Sequence, residues 1–368
     1  MYSKETNTFN LFFLLYLLYC FKSIVYSLTI DTEAVIYIKH FLNIAILLLC
    51  FISVCYASFK TKIFFAVTTL LCFLNIILYN NDSYYAFIVL IAICSLTIRI
   101  EWSTLIRSVC LIHLIALIIT LPFLYFCDYF FLVDDRFGPR FTGGFDNPNT
   151  LGQYLIMLLS VITLWLNDKT KTRTVQFVYF IFIFTFITII LLETFSRTSL
   201  ILACTMGILF IITRLTNITY RTKKYFYPFV LLLIIIAFFQ FYGIAKFGTN
   251  KYLAIANEVF TSRLWFGNIL YKELGFPNIW HGLNINDYLP LDFYFIRVVY
   301  SVGVLYFLAL TMIFLISLRR CKMNIYMWAV LFIMLTDTLT ETYFSIPFYS
   351  AVAFIIFNRT NFDCYRVK

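Results

Sequence analysis

The chain has 368 residues, of which 62% are hydrophobic and only 12% charged, with a mean hydropathy of +0.89. That balance excludes an ordinary water-soluble globule, in which about 25% of residues are charged. The net charge of +10 is dispersed over short loops and not gathered into one basic stripe, so it gives no reason to invoke a nucleic-acid partner.

Only a helix or a closed barrel satisfies its backbone hydrogen bonds inside hydrocarbon. The apolar runs of this chain do not alternate polar and apolar residues as barrel strands would. A spanning helix needs about 20 apolar residues, and runs of that kind place about 12 transmembrane helices along the chain. They fall near residues 9–30, 41–57, 61–79, 84–98, 104–126, 150–166, 174–192, 195–213, 226–245, 293–317, 323–337 and 343–358. The predicted fold class is therefore all-α: a polytopic integral membrane helix bundle with one large outer loop. The run from Phe9 is long and no small-x-small cleavage site follows it, so it is expected to remain as an anchor. Lys22 and His113, inside spans, are expected to be satisfied within the bundle.

Charge sorts the loops. Lys60, Lys62, Arg99, Lys169, Lys171, Arg214, Lys223, Lys224, Arg319 and Arg320 fall on one face with both termini, while of the 18 acids only Glu5, Glu101, Asp168 and Asp363 fall there. The positive-inside bias makes that face cytoplasmic and turns segments 127–149 and 246–292 outward. The organisation expected is N-terminal spans over 1–126, spans carrying two polar motifs over 127–245, a large periplasmic loop over 246–292, and C-terminal spans over 293–368. Ten scattered cysteines form no CxxC pair, and HExxH, P-loop and GxGxxG patterns are lacking, so no metal and no cofactor are expected.

The outer segments carry the polar chemistry. Residues 134–154 read DDRFGPRFTGGFDNPNTLGQY, too polar to cross a bilayer and rich in turn-forming Gly, Pro and Asn. The Glu193–Ser199 turn puts Arg197 at an outer helix junction, where a guanidinium must snorkel, pair with Glu193 or bind an anion. In the large loop, ANEVFTSRLWFGNILYKELGF spaces Val259, Leu264, Trp265 and Leu270 as one amphipathic interfacial helix, although its aromatic residues also suit an interfacial belt. The last outer turn holds Asp337 and Glu341. Arg136, Arg140, Arg197 and Arg263 all run against the positive-inside bias, and the guanidinium fork matches phosphate oxygens bidentately. Arginines beside carboxylates on one face suit a phosphorylated, hydroxyl-rich substrate.

These motifs resemble the O-antigen ligase and repeat-unit polymerase superfamily. RFTGGFDNPNTLGQYL is similar to the family's Arg-rich turn before an Asn-Pro-Asn helix start, and ETFSRTSLI to its Ser-Arg turn. TSRLWFGNIL is similar to the opening of its large outer loop, although the tryptophan here follows Arg263 by only two residues. LDFYFIRVVYSVGVLYFL resembles its Asp-x-x-Tyr segment and LTETYFSIPF its late Thr-Glu turn. The similarity runs over residues 134–358. Where ligases carry a His-Asn pair before the next span, this chain has Leu291-Asp292-Phe293, with His281 farther upstream, which favours polymerase over ligase.

The resemblance implies metal-independent glycosyl transfer from an undecaprenyl-pyrophosphate-linked oligosaccharide to a second lipid-linked repeat unit, on the outer face of a bacterial inner membrane. It would build O-antigen or capsular polysaccharide, with membrane lipids and a chain-length regulator as partners. Arg197 and Arg263 are then expected to hold the pyrophosphate, followed by Arg136 and Arg140. Asp292, then His281, would be the general base. Asn147, Asn149 and Glu341 would hold sugar hydroxyls or loop geometry, with Asn149 alternatively a helix cap. A polysaccharide-intermediate flippase is the competing reading from another class, and a structural membrane subunit is a third.

Overall fold

The computed structural model describes residues 2–134, 138–167, 173–216 and 221–358. Helices dominate it. Eight are long and apolar enough to cross a membrane, among them α1 (Tyr2–Ser27), α2 (Glu33–Cys55), α3 (Phe59–Tyr79), α5 (Trp102–Leu124), α6 (Pro148–Asn167), α7 (Arg173–Thr194), α8 (Arg197–Leu215) and α9 (Phe226–Lys246). The shorter α4 (Tyr84–Thr97) joins the bundle between α3 and α5. Within its best apolar window α6 is 78% buried, whereas α2, α3 and α7 are 22% buried. Thus α6 lies at the centre, and the others turn large apolar side chains such as Ile44, Leu48, Phe73 and Phe182 outward, as lipid-facing helices do.

The loops gather at two ends. At one end Thr29 N donates to Gly144 O (2.9 Å), Arg140 Nε to Thr194 O (2.9 Å), Asn81 Nδ2 to Ser301 O (2.8 Å) and Gln240 Nε2 to Thr338 O (2.7 Å). At the other, Asn358 Nδ2 donates to Thr97 O and Ile100 O, Arg99 to Tyr56 O, and Thr222 pairs with Met323. Most of these bonds join a loop to another loop or to a helix end, while Gln240 and Ser301 reach theirs from within α9 and from α12, the helix that ends at Val302.

Four stretches depart from the sequence expectation. The 127–149 segment includes a small antiparallel hairpin, β1 (Phe131–Asp134) and β2 (Gly138–Phe141), so the fold is helical with one β-ribbon. The amphipathic helix expected in the large loop is two helices, α10 (Lys251–Val259) and α11 (Arg263–Leu274), because Thr261 and Ser262 adopt positive φ (49° and 68°) and reverse the chain. The reversal points Val259 and Trp265 outward and buries Leu264 and Leu270 with Ile244, Leu291 and Phe293 in a second small core.

The apolar run 293–317 is also broken, into α12 (Tyr294–Val302) and α13 (Val304–Arg320) at Gly303. Gly303 has φ +80° and ψ 158°, a region open essentially to glycine alone. The amides of Val304 and Leu305 that the break frees donate to Asn278 O and Ile279 O of the large loop, both at 3.0 Å.

After α14 (Ile325–Asp337) the run 343–358 is helical only in α15 (Val352–Phe357). Residues 338–351 are irregular yet largely buried, so their backbone groups need hydrogen-bond partners from the protein. Tyr16 supplies one: its hydroxyl donates to Pro347 O (2.9 Å) and lies 2.9 Å from His113 Nε2. His113 is thereby partnered inside the bundle, and Lys22 lies 4.2 Å from the centre of the Tyr85 ring, a cation–π contact.

Candidate active site

The first polar node starts from helix-capping chemistry. Asn147 Oδ1 accepts from Asn149 N (2.8 Å), and Pro148, which has no amide to satisfy, is the first residue of α6. The cap is therefore Asn147, which releases the Asn149 side chain to accept from Arg140 Nη2 at 3.0 Å. Arg140 also donates from Nε to Thr194 O at the C-terminal end of α7 and lies 3.4 Å from Asp134. Its guanidinium thus cross-braces the hairpin, α6 and α7, and it is 8% exposed.

Arg197, the first residue of α8, is exposed at the rim beside this node. Its neighbours Ser196 and Ser199 pack on α6 at Gly152, where a Cβ would lie 2.6 Å from Ser199 Oγ, so only glycine allows that approach. Arg136 lies outside the described residues.

One turn along α6 from Asn149, on the same face, Gln153 Nε2 donates to Asp337 Oδ2 at 2.6 Å. Asp337 ends α14, and its carbonyl accepts from Thr340 N and Glu341 N, both 2.9 Å, folding the chain back. That fold brings Glu341 within 3.6 Å of Arg263 Nη2, while Asp292 Oδ2 lies 3.2 Å from the same nitrogen. Arg263 begins α11, held there by bonds from Nη1 to Phe260 O and Thr261 Oγ1.

Arg297 on α12 donates to Thr342 Oγ1 (3.4 Å) and acts electrostatically on both Asp292 and Glu341. Gln240 fixes the frame: its amide donates to Thr338 O (2.7 Å) and its carbonyl accepts from Phe295 N (3.0 Å), tying the backbones on either side of the two acids to α9.

Asp292 and Glu341 thus share two guanidiniums, Arg263 and Arg297, and Asp337 lies within the electrostatic reach of Arg263. Burial raises the Glu341 carboxyl well above its ordinary range, and Asp292 and Asp337 push it further up against the opposing pull of Arg263 and Arg297.

Asp292 is also raised, first by burial, with Arg263 and Arg297 opposing. Its side chain is 32% exposed against 8% for Glu341, so it is the carboxylate of this pair that a ligand can reach. A carboxylate raised from its usual range and open to the surface suits a general base, and the adjacent guanidinium suits a developing negative charge.

Of the residues named from sequence, the structure brings together Arg263, Asp292 and Glu341 in one node, and Arg140 and Asn149 in another, with Asn147 as the cap between hairpin and α6. His281 is placed elsewhere. It stacks on Tyr79 (centroids 4.0 Å apart, 5° between planes), its Nδ1 lies 3.1 Å from Gly282 O, and its amide donates to Asn278 Oδ1 (3.2 Å).

Gln153, Gln240 and Arg297 were not singled out from sequence. A glutamine inside an apolar span is a signal for an intramembrane partner, but its partner becomes apparent only on folding. Among the described residues no group of three or more His, Cys, Asp or Glu could hold a metal ion. No family of known proteins, no curated protein and no solved structure matches this chain.

Proposed function

We propose that the chain is a multi-pass bacterial inner-membrane glycosyltransferase that polymerises undecaprenyl-pyrophosphate-linked oligosaccharide repeat units, with both termini cytoplasmic and the Arg263 node on the outer face. The observation that carries this reading is the position of Arg263, bracketed by Asp292 at 3.2 Å and Glu341 at 3.6 Å. Glycosyl transfer from a pyrophosphate carrier needs a group to stabilise the departing phosphate and a group to take the proton of the attacking hydroxyl. Arg263 supplies the first, with Arg297 beside it and Arg197 at the rim. Asp292 supplies the second, and Glu341 orients Arg263. Arg140 and Asn149 position the start of α6, from which Gln153 reaches Asp337.

The test is analysis of surface glycan and carrier-linked intermediates in a strain lacking the protein. Loss of polymerisation leaves single repeat units on the outer leaflet or on lipid A core. Long chains retained on the carrier would replace this reading with a ligase, and single units retained on the cytoplasmic side would replace it with a flippase.

A further inference from the structure

A cavity of about 280 Å³ lies apart from the Arg263 node, between α3, α4, α12, α13 and α15. Its walls are apolar, formed by side chains such as Phe64, Leu90, Leu310, Phe314 and Ala353. Along α13 the lining runs from Phe307 to Phe314, about 10 Å of helix axis. Among the described residues a single charged one lines it, Lys60, exposed at the start of α3 and at the end of the bundle where Arg99 bonds Tyr56 O. At the opposite end the lining is uncharged: Tyr294 and Phe344 pack edge to face with centroids 5.5 Å apart, beside Ser345. Neither Arg263 nor Arg297 lines the cavity.

An apolar slot with its one positive charge at the membrane surface matches a chain that is apolar along its length and anionic at that same end. We propose that this groove binds one acyl chain of an anionic phospholipid, with the lipid phosphate at Lys60. A lipid whose phosphate lies at the opposite membrane surface would meet no charge among the described lining residues there. The proposal is independent of the reaction at Arg263, because occupancy is read by binding and not by glycan synthesis.

The test uses the full-length protein in phosphatidylethanolamine vesicles doped with phosphatidylglycerol carrying a photoactivatable acyl chain, and in parallel with a phosphatidylcholine bearing the same chain. The phosphatidylglycerol should label peptides of α4, α13 and α15 well above those of α7, and the phosphatidylcholine should not. Lys60→Gln, a surface change, should lower groove labelling about fivefold, the effect of one lysine near a membrane surface. Thr311→Phe, which fills the groove from a half-buried position, should abolish it while α7 labelling stays constant. Equal labelling by the two lipids, or unchanged labelling in Lys60→Gln, would overturn the proposal. So would displacement of the label by undecaprenyl phosphate but not by excess phosphatidylglycerol, which would assign the groove to the polyprenyl chain.

Discussion

Gln153 and Asp337 lie 184 residues apart in sequence and meet at 2.6 Å, buried where α6 begins and α14 ends. This bond joins the start of α6, where Asn149 holds Arg140, to the turn that carries Glu341, so the two polar nodes belong to one framework. Gln153→Leu leaves the buried Asp337 carboxylate without its donor, at a cost of about 1–3 kcal/mol. The expected result is a lower thermal unfolding midpoint in detergent together with weakened polymerisation. A midpoint equal to wild type would show that the bond does not matter to the folded state.

Arg263 serves two carboxylates from one nitrogen. Arg263→Ala leaves the buried Glu341 carboxyl, with Asp292 beside it, without their shared guanidinium, and losing one partner of a buried ion pair costs about 3–5 kcal/mol. The variant should be scarce in membranes. Arg263→Lys keeps the charge and should restore abundance, but without the planar fork it should lose most long-chain glycan. Normal glycan ladders from Arg263→Lys cells would reject the phosphate-binding role.

Arg197 allows a cleaner separation because it is exposed. Arg197→Lys is expected to lose most polymerisation and Arg197→Ala nearly all, with the protein still present in the membrane. If Arg197 only snorkelled to the interface or paired with Glu193, lysine would serve as well, and the glycan profile of Arg197→Lys would match wild type.

The pH dependence has a definite sign. Glu341 is raised in the folded protein above its ordinary value of 4.5, so the folded state holds its proton more tightly than the unfolded chain does. The stability this confers is present below the unfolded value and is lost as pH rises through the folded one. Glu341→Gln cannot ionise, so the unfolding midpoint of wild type relative to Glu341→Gln should fall as pH is raised above about 4.5. A difference that is constant with pH would show that Glu341 does not titrate in this way.

The break at Gly303 is open to a direct check. A Cβ there would lie 2.9 Å from His281 O in a backbone region closed to other residues. Gly303→Ala should cost about 1–3 kcal/mol and loosen residues 278–282 from α13. Faster hydrogen exchange at the Val304 and Leu305 amides would report it, and unchanged exchange would count against a role for the break.

The helices that packing cannot easily change are legible from hydropathy. Long apolar runs place α3 and α5–α9 within about two residues and find α1 and α2, whose starts at Tyr2 and Glu33 precede the runs from residues 9 and 41, because hydrocarbon leaves such runs no other way to satisfy their backbones. Asn147-Pro148-Asn149 announced a helix start, although which asparagine caps it depended on where Arg140 arrived. Arg263, Asp292 and Glu341 were legible as residues running against the loop charge pattern or matching a motif, but not as neighbours.

Tertiary structure alone decided the rest. The apolar runs 293–317 and 343–358 read as uninterrupted spans, yet one breaks where Asn278 and Ile279 offer carbonyls to freed amides and the other unwinds where Tyr16 reaches Pro347. Gln153 and Gln240 read as isolated polar residues in apolar helices, because their partners are 184 residues and 98 residues away. Hydropathy records what each residue costs in lipid. It carries no record of which distant group will meet that cost, and that pairing is what assembles Arg263, Asp292 and Glu341 into one site.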